Sequence, residues 1–390
     1  MDEGASLALR LDKRGGDRRV GAIRLFLACG VVFGHAERGI LHNVGLTADR
    51  AWWLSLVGGR AVIFFYIISG FLISYALHEK YPATAAGTLA FFRSRFLRIF
   101  PLWWVLLIVC LLINIPPWPI THPLATLSLA AALFGTDWIV AFWAYPLGYQ
   151  DVFPHALGVG WTLGAELTFY LIAPWVLRSP KTALFLFLLS AMVRLGVAMT
   201  LPAKAGTVYI IWSYVFFPAT LMFFLLGHFA NVIGRSLRPG AAISVAALAL
   251  AAMFSWLDSP PITVDRLPAY LSCLCFAAAL PGVFAATKDG RLFNFLGDLT
   301  YPLYLTHTMT MAALFGAWGF AGPFGHFLIA KAALFGSPAL DGAFLIAAIL
   351  CVALLVATLA HFAIERPARR AVAFFLSSWK ERMRPMPADT

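Results

Sequence analysis

Runs of about twenty apolar residues, separated by short polar connectors, follow one another along the whole chain. A helix needs about 20 apolar residues to cross a hydrocarbon core, where only helices and closed barrels satisfy their backbone hydrogen bonds. The pattern predicts spans at residues 20–41, 54–78, 101–115, 161–177, 182–200, 209–232, 241–257, 268–286, 299–319 and 341–364. We therefore expect an all-α integral membrane protein, a bundle of about ten transmembrane helices with one or two re-entrant or interfacial segments.

Residues 124–142 form an eleventh apolar segment, which the distribution of Lys and Arg tests. Cytoplasmic connectors of membrane proteins carry the excess of these residues. With ten spans and a cytoplasmic N terminus, the inner connectors hold 21 of the 29 Lys and Arg, and 6 lie toward the outer side, in connectors or at the outer ends of spans. An eleventh span would change this to 12 inside and 15 outside. Charge therefore favours ten spans, with residues 124–142 as a re-entrant or interfacial segment and a partner segment near residues 323–338.

The same count divides the chain into three parts: a basic cytoplasmic tail at 1–19, a transmembrane domain at 20–364 and a basic cytoplasmic tail at 365–390. Composition excludes a water-soluble globule, because 61% of the residues are hydrophobic and 12% are charged, about half the usual charged fraction. The net charge of +11 lies in short connectors rather than on one polar face, so no nucleic-acid partner is expected. The five cysteines lie in apolar runs without a CxxC pair, and no metal site is predicted.

The first span, AIRLFLACGVVFGHA, contains two ionisable residues, Arg24 and His35. Such groups are costly in hydrocarbon and normally face a bundle interior or a wet cavity. On a helix, side chains eleven positions apart differ in direction by only about 20°, so these two share a helix face. They lie about 16 Å apart along the helix axis. This spacing suits a long anionic substrate with its charged head at Arg24 and its reactive end at His35. The alternatives are snorkelling of Arg24 to lipid phosphate and a helix–helix hydrogen bond for His35.

Two further motifs carry polar residues next to apolar spans. RSRFLRIFP places Arg95 and Arg98 three positions apart, a spacing at which two guanidiniums can clamp phosphates. The alternative is that these arginines only follow the usual excess of basic residues in cytoplasmic connectors. In FFYIISGFLIS, Ser69 and Gly70 allow close approach of a helix or a ligand, and helix packing is the explanation favoured by the residues alone.

Two later spans supply the remaining candidates. Glu166 in GVGWTLGAELTFYLIAPW is a carboxylate within a span, which is costly unless it is protonated or paired. It can accept a hydrogen bond from a histidine ring and fix the tautomer of a general base, or it can be structural. Tyr304 and His307 in GDLTYPLYLTHTM line a donor channel or hold the bundle together, and the residues alone leave both open.

Taken in order, these motifs resemble a known family. Over residues 18–370 the chain resembles the membrane-bound acyltransferase-3 family, in its branch with a stand-alone membrane domain. The motifs that carry this resemblance are the Arg24 and His35 pair, SGF, RFLRIFPLWW, WTLGAELTFY, YPLYLTH and the closing IERPAR. The resemblance implies an O-acyltransferase of a bacterial inner membrane that takes an acyl group, usually acetyl, from cytoplasmic acyl-CoA. The acceptor it implies is a hydroxyl of a glycan or glycolipid. The histidine matching His35 is taken as catalytic in the family, and the arginines matching Arg24, Arg95 and Arg98 are implicated in activity or in handling the donor.

The residue patterns and the family resemblance together lead to one hypothesis. His35 is the general base and Glu166 orients it, while Arg24, Arg95 and Arg98 bind CoA phosphates. Ser69, Tyr304 and His307 complete the donor site; acyl-CoA is a substrate, and no permanently bound cofactor is expected. A covalent acyl-histidine is the less favoured variant. Two other classes remain: a transporter or flippase of a lipid-linked or anionic glycan, and a non-enzymatic membrane receptor or assembly partner.

Overall fold

A computed structural model of the chain describes residues 20–41, 52–113, 160–201, 212–213, 216–258, 266–287, 291–315, 323–332 and 335–371. This part of the chain contains eleven α-helices and no strand. The helices are α1 (Gly21–Ala36), α2 (Trp52–Glu79), α3 (Ala85–Ile113), α4 (Gly160–Val176), α5 (Pro180–Thr200), α6 (Phe217–Leu237), α7 (Ala241–Leu257), α8 (Leu267–Ala286), α9 (Arg291–Phe315), α10 (Pro323–Ala332) and α11 (Pro338–Ala360). Short π-helical turns, Glu37–Leu41 and His361–Glu365, follow α1 and α11.

The helices fit an integral membrane protein, as the apolar runs predict. Five described segments are long and apolar enough to cross a membrane: Arg60–Glu79, Pro180–Thr200, Phe217–Leu237, Leu267–Ala286 and Leu340–Ala371. Each of the ten predicted spans overlaps a helix, but the number of spans stays a prediction, because the described residues hold eleven α-helices. The short helix α10 falls within the predicted re-entrant segment at 323–338, whereas residues 124–142 and 1–19 lie outside the described residues.

One end of the bundle gathers the connectors that follow α2, α4, α6 and α8, together with the start of α1. We call it the basic end, because many of the Lys and Arg residues of the described connectors lie there. Three contacts join these connectors: the backbone N–H of Val20 donates to Thr287 Oγ1 at 3.0 Å, Arg178 donates to the carbonyl of Tyr81 at 3.1 Å, and Arg235 pairs with Glu79. From α1 to α8, successive helices therefore run in alternating directions from this end.

The centre of the bundle is α2, whose residues from Arg60 to Leu77 are almost all buried. A glycine on each helix lets α2 and α6 approach until their backbones touch. A Cβ atom on Gly70 would lie 1.8 Å from the carbonyl oxygen of Phe224, and one on Gly227 would lie 1.9 Å from that of Ile67. Small residues at such contacts are typical of membrane helix pairs. Gly70 of the SGF motif therefore serves packing.

A third glycine brings α1 against α9. A Cβ atom on Gly21 would lie 1.9 Å from the carbonyl oxygen of Phe293, so no larger residue fits there without moving a backbone. Because this contact fixes the two helices side by side from the basic end onward, it sets which residues of α9 lie opposite Arg24 and His35.

Buried polar contacts tie α2 to its other neighbours. Ser74 Oγ is hydrogen-bonded to His228 Nδ1 at 2.8 Å and accepts from the side-chain amide of Asn231 at 2.8 Å, both on α6. Near the opposite end, Arg60 forms a buried ion pair with Asp258 at the end of α7. Buried polar groups of this kind are stable only when paired, so these contacts fix the register of α2 against α6 and α7.

Candidate active site

A cavity of about 790 Å³, including the open space at its mouth, lies between α1, α2, α3, α4 and α9. Its lining contains six of the eight residues that the sequence nominated: Arg24, Ser69, Arg95, Arg98, Glu166 and Tyr304. The other two, His35 and His307, contact each other outside this lining. Residues from five separate stretches of sequence are thus brought to one place.

Three arginines and one carboxylate give the cavity lining a net positive formal charge. Arg24 and Arg95 are buried, with 8% and 5% of their surfaces exposed, and Arg98 is half-buried. The guanidinium of Arg95 lies over two aromatic rings, 5.8 Å from the centroid of Phe91 and 5.9 Å from that of Tyr170. Such cation–π contacts stabilise a cation that has lost its water. The cavity therefore offers positive charge to a ligand.

Glu166 lies in the middle of the cavity and is held by two hydroxyls. Its Oε1 accepts a hydrogen bond from Ser69 Oγ at 2.9 Å and another from the hydroxyl of Tyr170, one turn further along α4. The described hydrogen bonds of Glu166 thus connect it with α2 and with its own helix. Ser69 points into the cavity while its neighbour Gly70 packs against α6, so the two residues of the SGF motif have separate roles.

Tyr304 lines the cavity from α9. Its hydroxyl is hydrogen-bonded to Thr162 Oγ1 at 2.6 Å, which links α9 to α4. Its ring meets Phe65 of α2 edge to face, with centroids 5.9 Å apart, and lies 5.9 Å from the ring of His307. Tyr304 therefore lies between the arginine-lined cavity and the histidine that follows one turn later.

His35 and His307 form a pair of rings beyond Tyr304. Their centroids are 5.2 Å apart and their planes are inclined by 64°, an edge-to-face arrangement. His307 is fully buried, whereas His35 is exposed. Along α1, Arg24 and His35 are eleven residues apart, about 16 Å of helix, and both face α9. One stripe of α1 therefore connects the cavity with the histidine pair.

Sequence reasoning missed several residues of the cavity, among them Tyr170 and Thr162. Tyr170 follows Glu166 by four positions, a helical spacing that brings its hydroxyl to the carboxylate, and this signal was available in the sequence. Thr162 gave no such signal, because its contact with Tyr304 depends on how α4 packs against α9. Across the described residues, no group of three or more His, Cys, Asp or Glu side chains is arranged to hold a metal ion.

Comparison with known proteins gives one family match. The sequence model of a family described as "Acyltransferase domain", the acyltransferase-3 family, matches residues 17–362. Among curated proteins, the chain is similar to Nodulation protein 10 of Rhizobium leguminosarum bv. viciae, with 32% identity over 171 residues. This alignment covers 40% of the chain and 43% of the relative, so the chain matches less than half of that protein's length. No solved structure matches the chain.

Proposed function

Because this chain belongs to the acyltransferase-3 family, we propose that it is a membrane acyltransferase that transfers an acyl group from acyl-CoA to a hydroxyl of a glycan or glycolipid. The observation that supports this most is the cavity that collects Arg24, Arg95 and Arg98 from two helices. A nucleotide thioester carries several phosphate charges, and guanidinium groups bind phosphate through paired N–H donors. The acyl group we favour is acetyl.

The donor enters from the basic end of the bundle, which we place in the cytoplasm of a bacterial inner membrane together with both termini. The positive-inside rule supports this orientation, because basic residues concentrate in the connectors at that end. CoA phosphates then meet the three arginines first. The narrow pantetheine arm extends along α1 toward Tyr304 and His35, a distance of about 16 Å from Arg24.

The chemistry needs a base, because a neutral alcohol is a poor nucleophile. We assign this role to His35, which takes the proton of the acceptor hydroxyl while its oxygen attacks the thioester carbonyl. The C–S bond then breaks, the new ester C–O bond remains, and the proton passes from His35 to the departing CoA thiolate. Since His35 is exposed on one side, an acceptor can reach it without entering the donor cavity.

Glu166 belongs to the donor cavity in this proposal. Its bonds to Ser69 and Tyr170 place a negative charge beside Arg95, whose guanidinium lies over the ring of Tyr170. A carboxylate in that position balances the arginines when no donor is bound and keeps their side chains from repelling one another. Orientation of His35 by Glu166, which the sequence suggested, has no supporting hydrogen bond in the described part of the chain.

The test uses purified protein in nanodiscs with labelled acetyl-CoA and a panel of glycans. We expect His35→Ala to lower the transfer rate by about 10² to 10⁴ while CoA still binds, since a positioned base contributes a factor of that size. His326→Ala is the matched control, because it removes another exposed histidine, on α10. Equal rates for His35→Ala and wild type would remove His35 from the mechanism. Movement of an intact glycan without any need for acyl-CoA would favour a transporter. Protein that becomes covalently labelled when no acceptor is present would favour an acyl-histidine.

A further inference from the structure

His307 is a buried histidine whose two ring nitrogens have different surroundings. Its Nδ1 lies 2.8 Å from the carbonyl oxygen of Tyr304 and 3.3 Å from that of Leu303. A carbonyl oxygen only accepts hydrogen bonds, so Nδ1 must carry the proton and donate it. In the neutral ring, Nε2 then has a lone pair and acts as an acceptor.

Within the described part of the chain, this acceptor is not used. Nε2 of His307 is fully buried and has no hydrogen-bond partner among the described residues. A buried polar atom left without a partner is unfavourable, so each one calls for an explanation, and a catalytic role is one of those known. The backbone carbonyls of α9 therefore keep His307 ready to accept one further hydrogen bond.

The neighbour best placed to supply that bond is His35. The two rings meet edge to face at 5.2 Å between centroids, so a rotation of the exposed His35 ring can bring one of its N–H groups to Nε2 of His307. Catalytic hydrogen bonds are often long in a protein without substrate and shorten when the complex forms. Glu166, the other candidate for this role, already accepts from Ser69 and Tyr170.

We propose that His307 is the positioning residue for His35, accepting a hydrogen bond from one ring nitrogen so that the other faces the acceptor hydroxyl. This inference rests on the proposed function. When His35 takes the hydroxyl proton it becomes an imidazolium with two N–H groups, one directed to the reacting oxygen and one donated to His307. His307 stays neutral, and the extra proton leaves with the CoA thiolate. The role differs from the donor contact that the sequence suggested for His307, which lies outside the cavity lining.

Two substitutions of His307 test the role. We expect His307→Leu to lower kcat by about tenfold to a hundredfold, the usual effect of removing a group that orients a functional imidazole, with KM for acetyl-CoA and CoA binding unchanged. His307→Gln should restore part of the loss, because its side-chain oxygen can accept the same bond. Thr306→Val is the control for packing, since Thr306 is the preceding buried residue of α9 and its hydroxyl donates to the carbonyl of Pro302 in the same helix. A higher KM or weaker CoA binding in His307→Leu would overturn the proposal in favour of a donor contact.

A double variant asks whether His307 acts through His35. If it does, adding His307→Leu to His35→Ala should cause no further loss, because residues that act as one unit are not additive. Losses that multiply would overturn the proposal.

A measurement without turnover separates this inference from the function itself. We expect ¹⁵N NMR of histidine-labelled protein, with the His307 signals identified by His307→Gln, to show a protonated Nδ1 and an unprotonated Nε2. A proton on Nε2 would overturn the inference even if acyl transfer is observed. Absence of acyl transfer together with the expected tautomer would instead count against the proposed function alone.

Discussion

Arg95 is a buried cation whose planar group lies over two aromatic rings of the cavity wall. Lysine has neither the flat surface for such stacking nor the paired donors for phosphate. The spacing of Arg95 and Arg98 was sufficient to predict two guanidiniums on one helix face, and both do line the cavity. The partners of Glu166 were not predictable in full, because Ser69 reaches it only through the packing of α2 against α4.

Arg95→Lys should therefore weaken donor use while leaving the chemical step in place. We expect KM for acetyl-CoA to rise about tenfold, the loss of one charge-assisted hydrogen bond, with kcat changed by less than about threefold. Initial rates across a range of acetyl-CoA concentrations measure both values. Arg235→Lys is the control, because Arg235 forms an exposed ion pair with Glu79 at the basic end, and such pairs contribute little. A fall in kcat without a change in KM would place Arg95 outside donor binding.

The helices agree with the predicted spans in order, but two of them begin well before the apolar run that predicted them. The sequence predicted a span from residue 101, whereas α3 begins at Ala85 and contains Pro101. Similarly, α9 begins at Arg291 and contains Pro302, although its span was predicted from residue 299. Membrane helices accommodate proline because neighbouring groups satisfy the freed backbone. Periodicity and composition therefore locate these helices. Their polar first turns at the basic end were not predicted as helical and are seen only in the structure.

The contact between α2 and α6 leads to a prediction for stability. Gly70→Ala places a methyl group where the backbone of Phe224 lies, so the helices must separate. We expect a loss of about 1–3 kcal/mol, seen as a lower melting temperature in detergent and as reduced activity, since Ser69 moves with the same turn. Gly196→Ala is the matched control, because a Cβ atom at Gly196 on α5 meets nothing within 4 Å and alanine favours a helix. A melting temperature equal to that of wild type would mean that α2 and α6 are not in tight contact.

As a whole, the molecule places its cavity among α1, α2, α3, α4 and α9, which come from distant parts of the chain. Charge counting could predict which connectors share a side of the membrane, and the contacts at the basic end agree with that grouping. It could not predict which helices enclose the cavity, because apolar faces that pack inward and those that meet lipid have similar compositions. The reciprocal glycine contacts that settle the arrangement depend on pairs of residues far apart in sequence.

The orientation of the whole bundle can be tested with single cysteines in a variant whose native cysteines are replaced by alanine. One variant is Gly240→Cys, because Gly240 lies at the basic end and a Cβ atom there has open space. The other is Arg266→Cys, because Arg266 is exposed at the start of α8 on the opposite side. A membrane-impermeant thiol reagent should label Arg266→Cys in intact cells and Gly240→Cys only after the membrane is opened. The reverse pattern would place the basic end outside the cell and exclude entry of cytoplasmic donor to the arginines.

The 16 Å of helix between Arg24 and His35 has a consequence for the cell. If the arginines hold the nucleotide, as proposed, the nucleotide never needs to leave its compartment, because only the acyl end of the donor has to reach beyond Tyr304. Such an arrangement would allow an acyl donor made inside the cell to modify molecules outside it without itself crossing the membrane.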